Sequence, residues 1–271
     1  MTTGSPDTPI AMIDRVASLL EAFHGDHRLT LAQIYRRVRL PRSSVHRILQ
    51  RLVELGWVER QENLYSLGIK MFELGVQAVR RDGVHQVALP RMHALHRSTG
   101  LTVYLSALAS PDVLHLERVG GWPAKGKDWE VGARQSAVRS APGLALLARL
   151  DESDWPELVF PTRPSAGIRN RVQLRRELDR VGDRSGVAVD ARGCAADTLV
   201  VAASIGPGTG DLRVALSLCG PADTTPVEKA VNAVRMAATE IWYEASGVTP
   251  LLPRRTPPRF AASPPRAIAP G

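Results

Sequence analysis

The chain of 271 residues has only two cysteines, Cys194 and Cys219. Two thiols can close one bridge at most, too few for a disulfide framework or a cysteine-based zinc site, and both are read as reduced. Long apolar runs are missing as well. No segment reaches the roughly 20 consecutive apolar residues of a membrane span. The opening MTTGSPDTPIAMID also lacks the charged stretch followed by an apolar one that marks a secretory leader. The expectation is a cytoplasmic protein without membrane contact. A third absence is local: from Leu29 to Val53 there is no Asp or Glu, although that stretch carries Arg36, Arg37, Arg39, Arg42, Arg47 and Arg51.

What is present is a globular composition, 44% hydrophobic and 23% charged, in a chain long enough for two ordinary domains. The net charge of +8 is unevenly placed. Residues 1–80 hold 11 Lys+Arg against 8 Asp+Glu, residues 81–250 hold 20 against 19, and residues 251–271 hold 4 against none. A polyanionic partner is therefore expected at the ends, with a different task for the near-neutral middle.

Hydrophobic spacing organises the chain. Ile10, Ile13, Val16, Leu19, Leu20 and Phe23 repeat as on one helix. A short second helix follows Thr30, a plausible N-cap, and a third runs from about Pro41 to Gly56. Two short strands, Trp57 to Arg60 and Leu64 to Leu67, are joined by a polar turn at Asn63. Three helices and a hairpin over residues 1–67 spell a winged helix-turn-helix. Helical spacing resumes over a linker, 68–83, and continues to about Ser98, with Gly83 and Pro90 as interruptions. Residues 84–250 read as strands near 101–109, 113–119, 187–190, 198–205 and 212–219, with helices near 142–150, 171–182 and 226–246. This is an α+β pattern with an antiparallel sheet. The tail 251–271, with six prolines and no acid, reads as disordered.

The third helix has two unlike faces. Val45, Ile48, Leu49, Leu52 and Leu55 fall on one arc, as a short helix held by packing requires. Ser43, Arg47 and Gln50 fall opposite, flanked by Ser44, His46 and Arg51. Like charges gathered without an acid repel one another unless an anion relieves them, and a phosphate backbone is that anion. Ser43, Ser44, Arg47 and Gln50 suit the reading of base edges in a major groove, where Arg addresses guanine with two hydrogen bonds. Arg36, Arg37, Arg39, Arg42 and Arg51 suit phosphates. Arg60 lies on the wing, and His46 at the edge of the polar arc either touches DNA or is simply exposed. A solvated basic face is the ordinary reading of an arginine run; three helices and a wing around it favour double-stranded DNA.

Other chemistry finds little support. His93 and His96 are three apart on a helix but lack an acid or thiol to complete a metal set. Cys194 has no readable histidine partner, and Cys219 lies in a strand pattern that buries it. GPGTG, residues 206–210, sits between strands and reads as a hairpin turn rather than a phosphate cradle. No enzyme, metal or cofactor is expected. Arg118, Lys125, Lys127, Arg134 and Arg139 surround a loop in the second half. Trp122 and Trp129 in that loop either cover an apolar ligand or pack at a subunit contact.

LAQIYRRVRLPRSSVHRILQRLVELGWVERQENLYSLGIKMFELG, followed by LHLERVGGW, VGARQSAVRSAPGLALLARL and VALSLCGP, resembles the IclR family of bacterial transcription regulators from about Ile10 to Gly247. The resemblance implies an N-terminal winged helix-turn-helix that dimerises, a linker helix, and a GAF-like C-terminal domain that binds a small effector. It also implies assembly as a dimer or dimer of dimers on an operator. Effector-pocket positions carry over to Ala141 and Pro142 before the GLALLA helix, Asp190 after a strand, Val200 at the family's usual cysteine, and Ser217 and Cys219 on the last strand. Leu144 stands where the family usually has lysine, and Pro142, Val200 and Cys219 make the pocket more apolar. A sequence-specific DNA-binding regulator controlled by a small molecule is the expected function. The rival is a ligand-independent DNA-binding architectural protein whose C-terminal domain only oligomerises.

Overall fold

The computed structural model describes residues 9–80, 83–121, 129–161, 167–190, 197–207 and 213–247. Trp122, Lys125, Lys127, Cys194, most of GPGTG and the tail 251–271 lie outside the described residues. The N-terminal unit comprises α1 (Pro9–Glu21), β1 (Leu29–Thr30), α2 (Leu31–Arg37), α3 (Arg42–Glu54), β2 (Val58–Gln61) and β3 (Leu64–Leu67). Thr30 caps α2 as its position suggests: its hydroxyl accepts from the Gln33 amide while the Gln33 side chain accepts from the Thr30 amide at 2.7 Å. Pro41 precedes the first turn of α3, its ring holding φ at −58°, and Gly56 ends the turn after it at φ +74°.

Leu19, Phe23, Leu29, Ile34, Val45, Ile48, Leu49, Leu52, Val58 and Tyr65 form the core of this unit. Two expected members are absent from it. Leu55, 40% exposed, caps the C-terminus of α3 rather than extending its buried stripe, and Ile13 on α1 is 69% exposed. The wing is a three-stranded antiparallel sheet in the order β1-β3-β2. Its first strand is too short for alternation to reveal in sequence. At the hairpin base Gly68 is required sterically, since a Cβ there would lie 2.2 Å from the Gly56 carbonyl oxygen.

Helix α4 (Ile69–Arg80) precedes α5 (Val84–Thr99), which starts at Gly83 with φ +67°. Pro90 was expected to interrupt this segment, yet α5 runs through it. A proline inside a helix loses one backbone hydrogen bond and crowds the carbonyl four residues back, together a cost of about 3 kcal/mol, and packing of the buried Val84, Ala88, Met92 and Leu95 offsets it.

The C-terminal unit is a six-stranded antiparallel sheet in the order β6-β5-β4-β9-β8-β7. Its strands are β4 (Thr102–Ala109), β5 (Asp112–Val119), β6 (Arg134–Ser136), β7 (Val187–Asp190), β8 (Thr198–Ser204) and β9 (Val214–Pro221). Helices α5 and α8 (Val227–Ser246) cover one face, tied to each other by Arg91 bridging Glu240 and Glu244 at 2.9 and 3.0 Å. Helices α6 (Ala141–Leu147) and α7 (Arg171–Asp183) cover the other. With both faces covered, TLVVAAS is buried throughout, so continuous apolarity replaces the alternation of a half-exposed strand.

Candidate nucleic-acid interface and effector site

Helix α3 turns Val45, Ile48, Leu49 and Leu52 inward, so the spacing of 3.6 residues per turn places Arg42, Ser43, His46, Arg47, Gln50 and Arg51 outward. Ser44 is half-buried at the edge. Arg36 and Arg39, at and beyond the end of α2, are exposed beside it, and neither they nor Arg47 forms an ion pair among the described residues.

Several other arginines are engaged within the fold. Arg37 donates to the Ala22 carbonyl at 2.7 Å and pairs with Asp26, clamping α2 to the turn after α1. Arg51 pairs with Glu54 at 2.8 Å, three residues along the same helix, although both side chains stay largely exposed. The guanidinium of Arg42 lies 5.7 Å from the Tyr35 ring centre, and the Tyr35 hydroxyl donates to the Arg42 carbonyl at 3.3 Å. Arg60 on the wing donates to the Glu62 carbonyl at 2.9 Å and lies over Tyr65. The partner of Arg37 is eleven residues away, too far for helical periodicity to reveal it.

The second candidate site is the sheet face under α6. Register places its residues in rows across the strands. Asp190, Val200, Cys219 and Thr102 follow one another on β7, β8, β9 and β4, and the next row is Ala188, Ala202, Ser217, Tyr104 and Arg118. Small side chains in the second row leave room for α6, whose residues are all buried. Ala141 and Pro142 open that helix above the sheet. The hydroxyl of Ser140 accepts from the Gly143 amide at 3.3 Å. Gly143 cannot be larger, because a Cβ would lie 2.2 Å from the Ala137 carbonyl oxygen. The structure thus brings Asp190, Val200, Ser217 and Cys219 onto one face with Ala141 and Pro142 at the start of the covering helix.

A cavity of about 180 Å³ opens beside this face and is lined by Asp190, Leu144, Val138, Arg139, Ile168 and Glu177, among others. A larger cleft of about 580 Å³, between Phe23–His27, Leu67 and residues 130–134, contains none of the expected effector residues. The smaller cavity touches Asp190 at the end of β7 and Leu144 of α6.

The sequence reading did not find the polar and aromatic group at the β5 side of this face. Tyr104, Ser106 and His115 are fully buried, with Ser106 Oγ 2.8 Å from His115 Nδ1. Tyr104, His115 and Trp129 have ring centres 5.0 to 6.1 Å apart. Arg118 extends over the Tyr104 ring at 5.8 Å. His115 and Arg118 share a face despite their odd spacing because the β4–β5 register shifts at Leu105/Ser106. Alternation in TVYLSALA already put Tyr104 and Ser106 on one side; the bulge was not readable.

Burial pushes the Cys219 thiol and the Tyr104 hydroxyl each up to about 12, against a smaller opposing pull from the Arg118 charge. Both are neutral at physiological pH. Of the two histidines three apart on α5, His96 lies with Nδ1 2.8 Å from the Leu101 carbonyl oxygen, and among the described residues no three His, Cys, Asp or Glu side chains cluster as a metal site.

An exposed arginine-bearing helix in a winged helix-turn-helix, followed by an α+β unit with a small-residue face, is the architecture of a DNA-binding regulator with a built-in sensor domain. Comparison with known proteins agrees. The IclR helix-turn-helix domain matches residues 12–62, and the bacterial transcriptional regulator IclR C-terminal domain matches residues 76–243. The chain belongs to the IclR family of bacterial transcriptional regulators, with a winged helix-turn-helix and a GAF-like C-terminal domain.

It is similar to the HTH-type transcriptional regulator KdgR of Escherichia coli (strain K12), 27% identical over 156 residues, which are 57% of this chain and 59% of that relative. Against KdgR of Dickeya chrysanthemi the match spans 51% of the relative, so the chain spans a little over half the length of these two. The HTH-type transcriptional regulator TsaQ1/TsaQ2 of Comamonas testosteroni is 26% identical over 77% of both chains. Among solved structures, an IclR homolog from Microbacterium hydrocarbonoxydans complexed with 4-hydroxybenzoate superposes with a TM-score of 0.76. It is 28% identical, and the match covers 87% of this chain and 99% of that one.

Proposed function

We propose that this chain regulates transcription by binding a specific DNA operator through α3 and the wing, under the control of a small molecule held beneath α6. The observation that carries the DNA half is the outward face of α3, where Ser43, Arg47 and Gln50 project from a helix anchored by four buried apolar residues. In this reading Ser43, Ser44, Arg47 and Gln50 meet base edges. Arg36, Arg39, Arg42 and Arg51 meet phosphates, with Arg51 exchanging Glu54 for the backbone. Arg37 and Arg60 contribute mainly by holding the turn and wing in place, and His46 lies at the margin.

The effector half rests on Asp190, Val200, Ser217 and Cys219 sharing a face beneath Ala141 and Pro142, and on the Microbacterium homolog's complex with 4-hydroxybenzoate. An aromatic acid is the first ligand class to try. The protein works in the cytoplasm with its DNA, as a homodimer or a dimer of dimers, and catalyses no reaction. Exposed Ile13, Ile69, Phe72 and Leu74 on α1 and α4 give a second copy an apolar surface to cover. Two recognition helices then meet half-sites about 34 Å apart, and the operator is nearly palindromic.

The test is fluorescence anisotropy on duplexes selected from random DNA, measured at several salt concentrations. Selection of a palindromic site, bound with steep salt dependence and preferred over its scrambled form, is the expected result. Equal affinity for both duplexes would contradict sequence-specific regulation.

A further inference from the structure

We infer that the arginine-bearing stretch 251–271 is a second, sequence-independent DNA contact that grips phosphates flanking the operator. The inference rests on the DNA-binding reading above and adds a contact beyond both matched domains, residues 12–62 and 76–243.

Its starting point is charge. Residues 251–271 lie outside the described part of the chain, but their composition is plain: Arg254, Arg255, Arg259 and Arg266, with no Asp or Glu. Residues 81–250 hold 20 Lys+Arg against 19 Asp+Glu. The stretch therefore adds four positive charges to a unit that is otherwise close to neutral. Four guanidiniums without a carboxylate among them call for an anion from elsewhere.

The fold narrows where that anion is found. Helices α5 and α8 run antiparallel. Near one end Arg91 of α5 bridges Glu240 and Glu244 of α8. At the other, a Cβ on Gly220 would meet both Leu101, just past α5, and Thr225, just before α8. The last turn of α8, ended by Gly247 at φ +66°, therefore lies at the same end of the unit as the first turn of α5. Three acids placed toward this end already have partners. Glu240 and Glu244 hold Arg91, while Glu117 accepts from the Arg118 amide at 3.0 Å and meets His85, in the first turn of α5, at 3.2 Å. With these carboxylates spent inside the fold, an external polyanion is the partner that suits four arginines.

The same end is where the chain arrives from the DNA-binding unit, because α5 follows directly on α4. Distance permits the contact. Helix α4 has 12 residues and is about 18 Å long, and a compact unit the size of residues 9–67 is roughly 27 Å across. Arg266 stands nineteen residues beyond Gly247, and a chain of that length spans up to about 63 Å. The stretch is long enough to pass the DNA-binding unit and meet the duplex outside the half-site that α3 occupies. An arginine on a phosphate reads no sequence and strengthens binding through released counterions.

The experiment combines Arg254→Gln, Arg255→Gln, Arg259→Gln and Arg266→Gln in the full chain. Anisotropy is read on the selected operator and on its scrambled form, each also extended on both sides by about 15 base pairs, roughly 50 Å of duplex. The variant is expected to bind both extended duplexes about tenfold or more weakly at low salt, with a salt slope shallower by about two to four units for each chain bound. The ratio of operator to scrambled affinity should not change, and extending the duplex should strengthen the wild type more than the variant. Lysine at the same four positions should restore the wild-type slope, since a phosphate responds to charge. Wild-type affinity and slope in the glutamine variant overturn the inference while leaving operator binding in place. A loss confined to the operator overturns it too, because the stretch would then read sequence. Failure of the wild type to bind either duplex removes the DNA-binding reading itself, and the inference with it.

Discussion

Arg47→Ala separates DNA recognition from folding more sharply than any other single change on α3. Arg47 is exposed and forms no ion pair among the described residues, and alanine is at least as good a helix former. Folding stability should therefore move by no more than about 0.5 kcal/mol. Binding is different. If the guanidinium reads one base pair with two hydrogen bonds, its removal costs roughly 1–3 kcal/mol per site, or about 5- to 150-fold in affinity. It should also flatten base preference at one position of each half-site. Anisotropy on the selected duplex and on single-position variants, with urea denaturation as the control for folding, measures both effects. An Arg47→Ala protein that is folded and keeps both its affinity and its full base preference would refute the placement of α3 in the major groove.

Arg37→Ala should show the opposite balance, lowering the unfolding free energy read from urea denaturation by about 1 kcal/mol, since the lost contacts to Ala22 and Asp26 are partly exposed and water replaces some of their value; an unchanged urea midpoint with a large loss of DNA affinity would make it a phosphate ligand instead. Leu49→Ala removes a side chain that is 1% exposed at the centre of the N-terminal core, and a loss of about 2–5 kcal/mol is expected by denaturation. Gly143→Ala forces a methyl against the Ala137 carbonyl and should lower the melting temperature of the C-terminal unit, at a cost of about 1–3 kcal/mol or more. Stability should fall as pH rises from about 9 toward 12: the unfolded chain releases the Cys219 proton near its ordinary value of 9.0, while the folded chain holds it to about 12. Cys219→Ala should soften that decline in urea midpoints between about pH 8 and about pH 10.5, and an equally steep decline in the variant would place the burden on other groups.

Local signals were legible wherever one short segment contained both the cause and its effect. Thr30 and Gln33 cap α2 from three residues apart, Pro41 and Gly56 punctuate α3, and the period of its apolar residues separates core from DNA-facing side. The hairpin, the main strands of the second unit and the positions of α6 to α8 followed from the same kind of pattern. Pro90 broke the rule because burial of α5 against the sheet outweighs a missing hydrogen bond. Ile13 and Leu55 broke it because periodicity gives a face without saying where that face meets a neighbour.

The sequence by itself determined the two-part organisation, the basic face of α3 and the family, because each depends on residue type at short spacing or on the order of motifs. Only tertiary structure decided which arginines are spent inside the fold, since the partners of Arg37 and Arg60 depend on how turns and strands return upon one another. It also decided that Asp190, Val200, Cys219, Tyr104 and Arg118 share one face, for strand order and a bulge set that proximity across more than a hundred residues of chain. Hydrogen-bond partners and register are long-range properties. A one-residue shift in pairing turns a side chain to the opposite face, and nothing local in LHLERV records that shift.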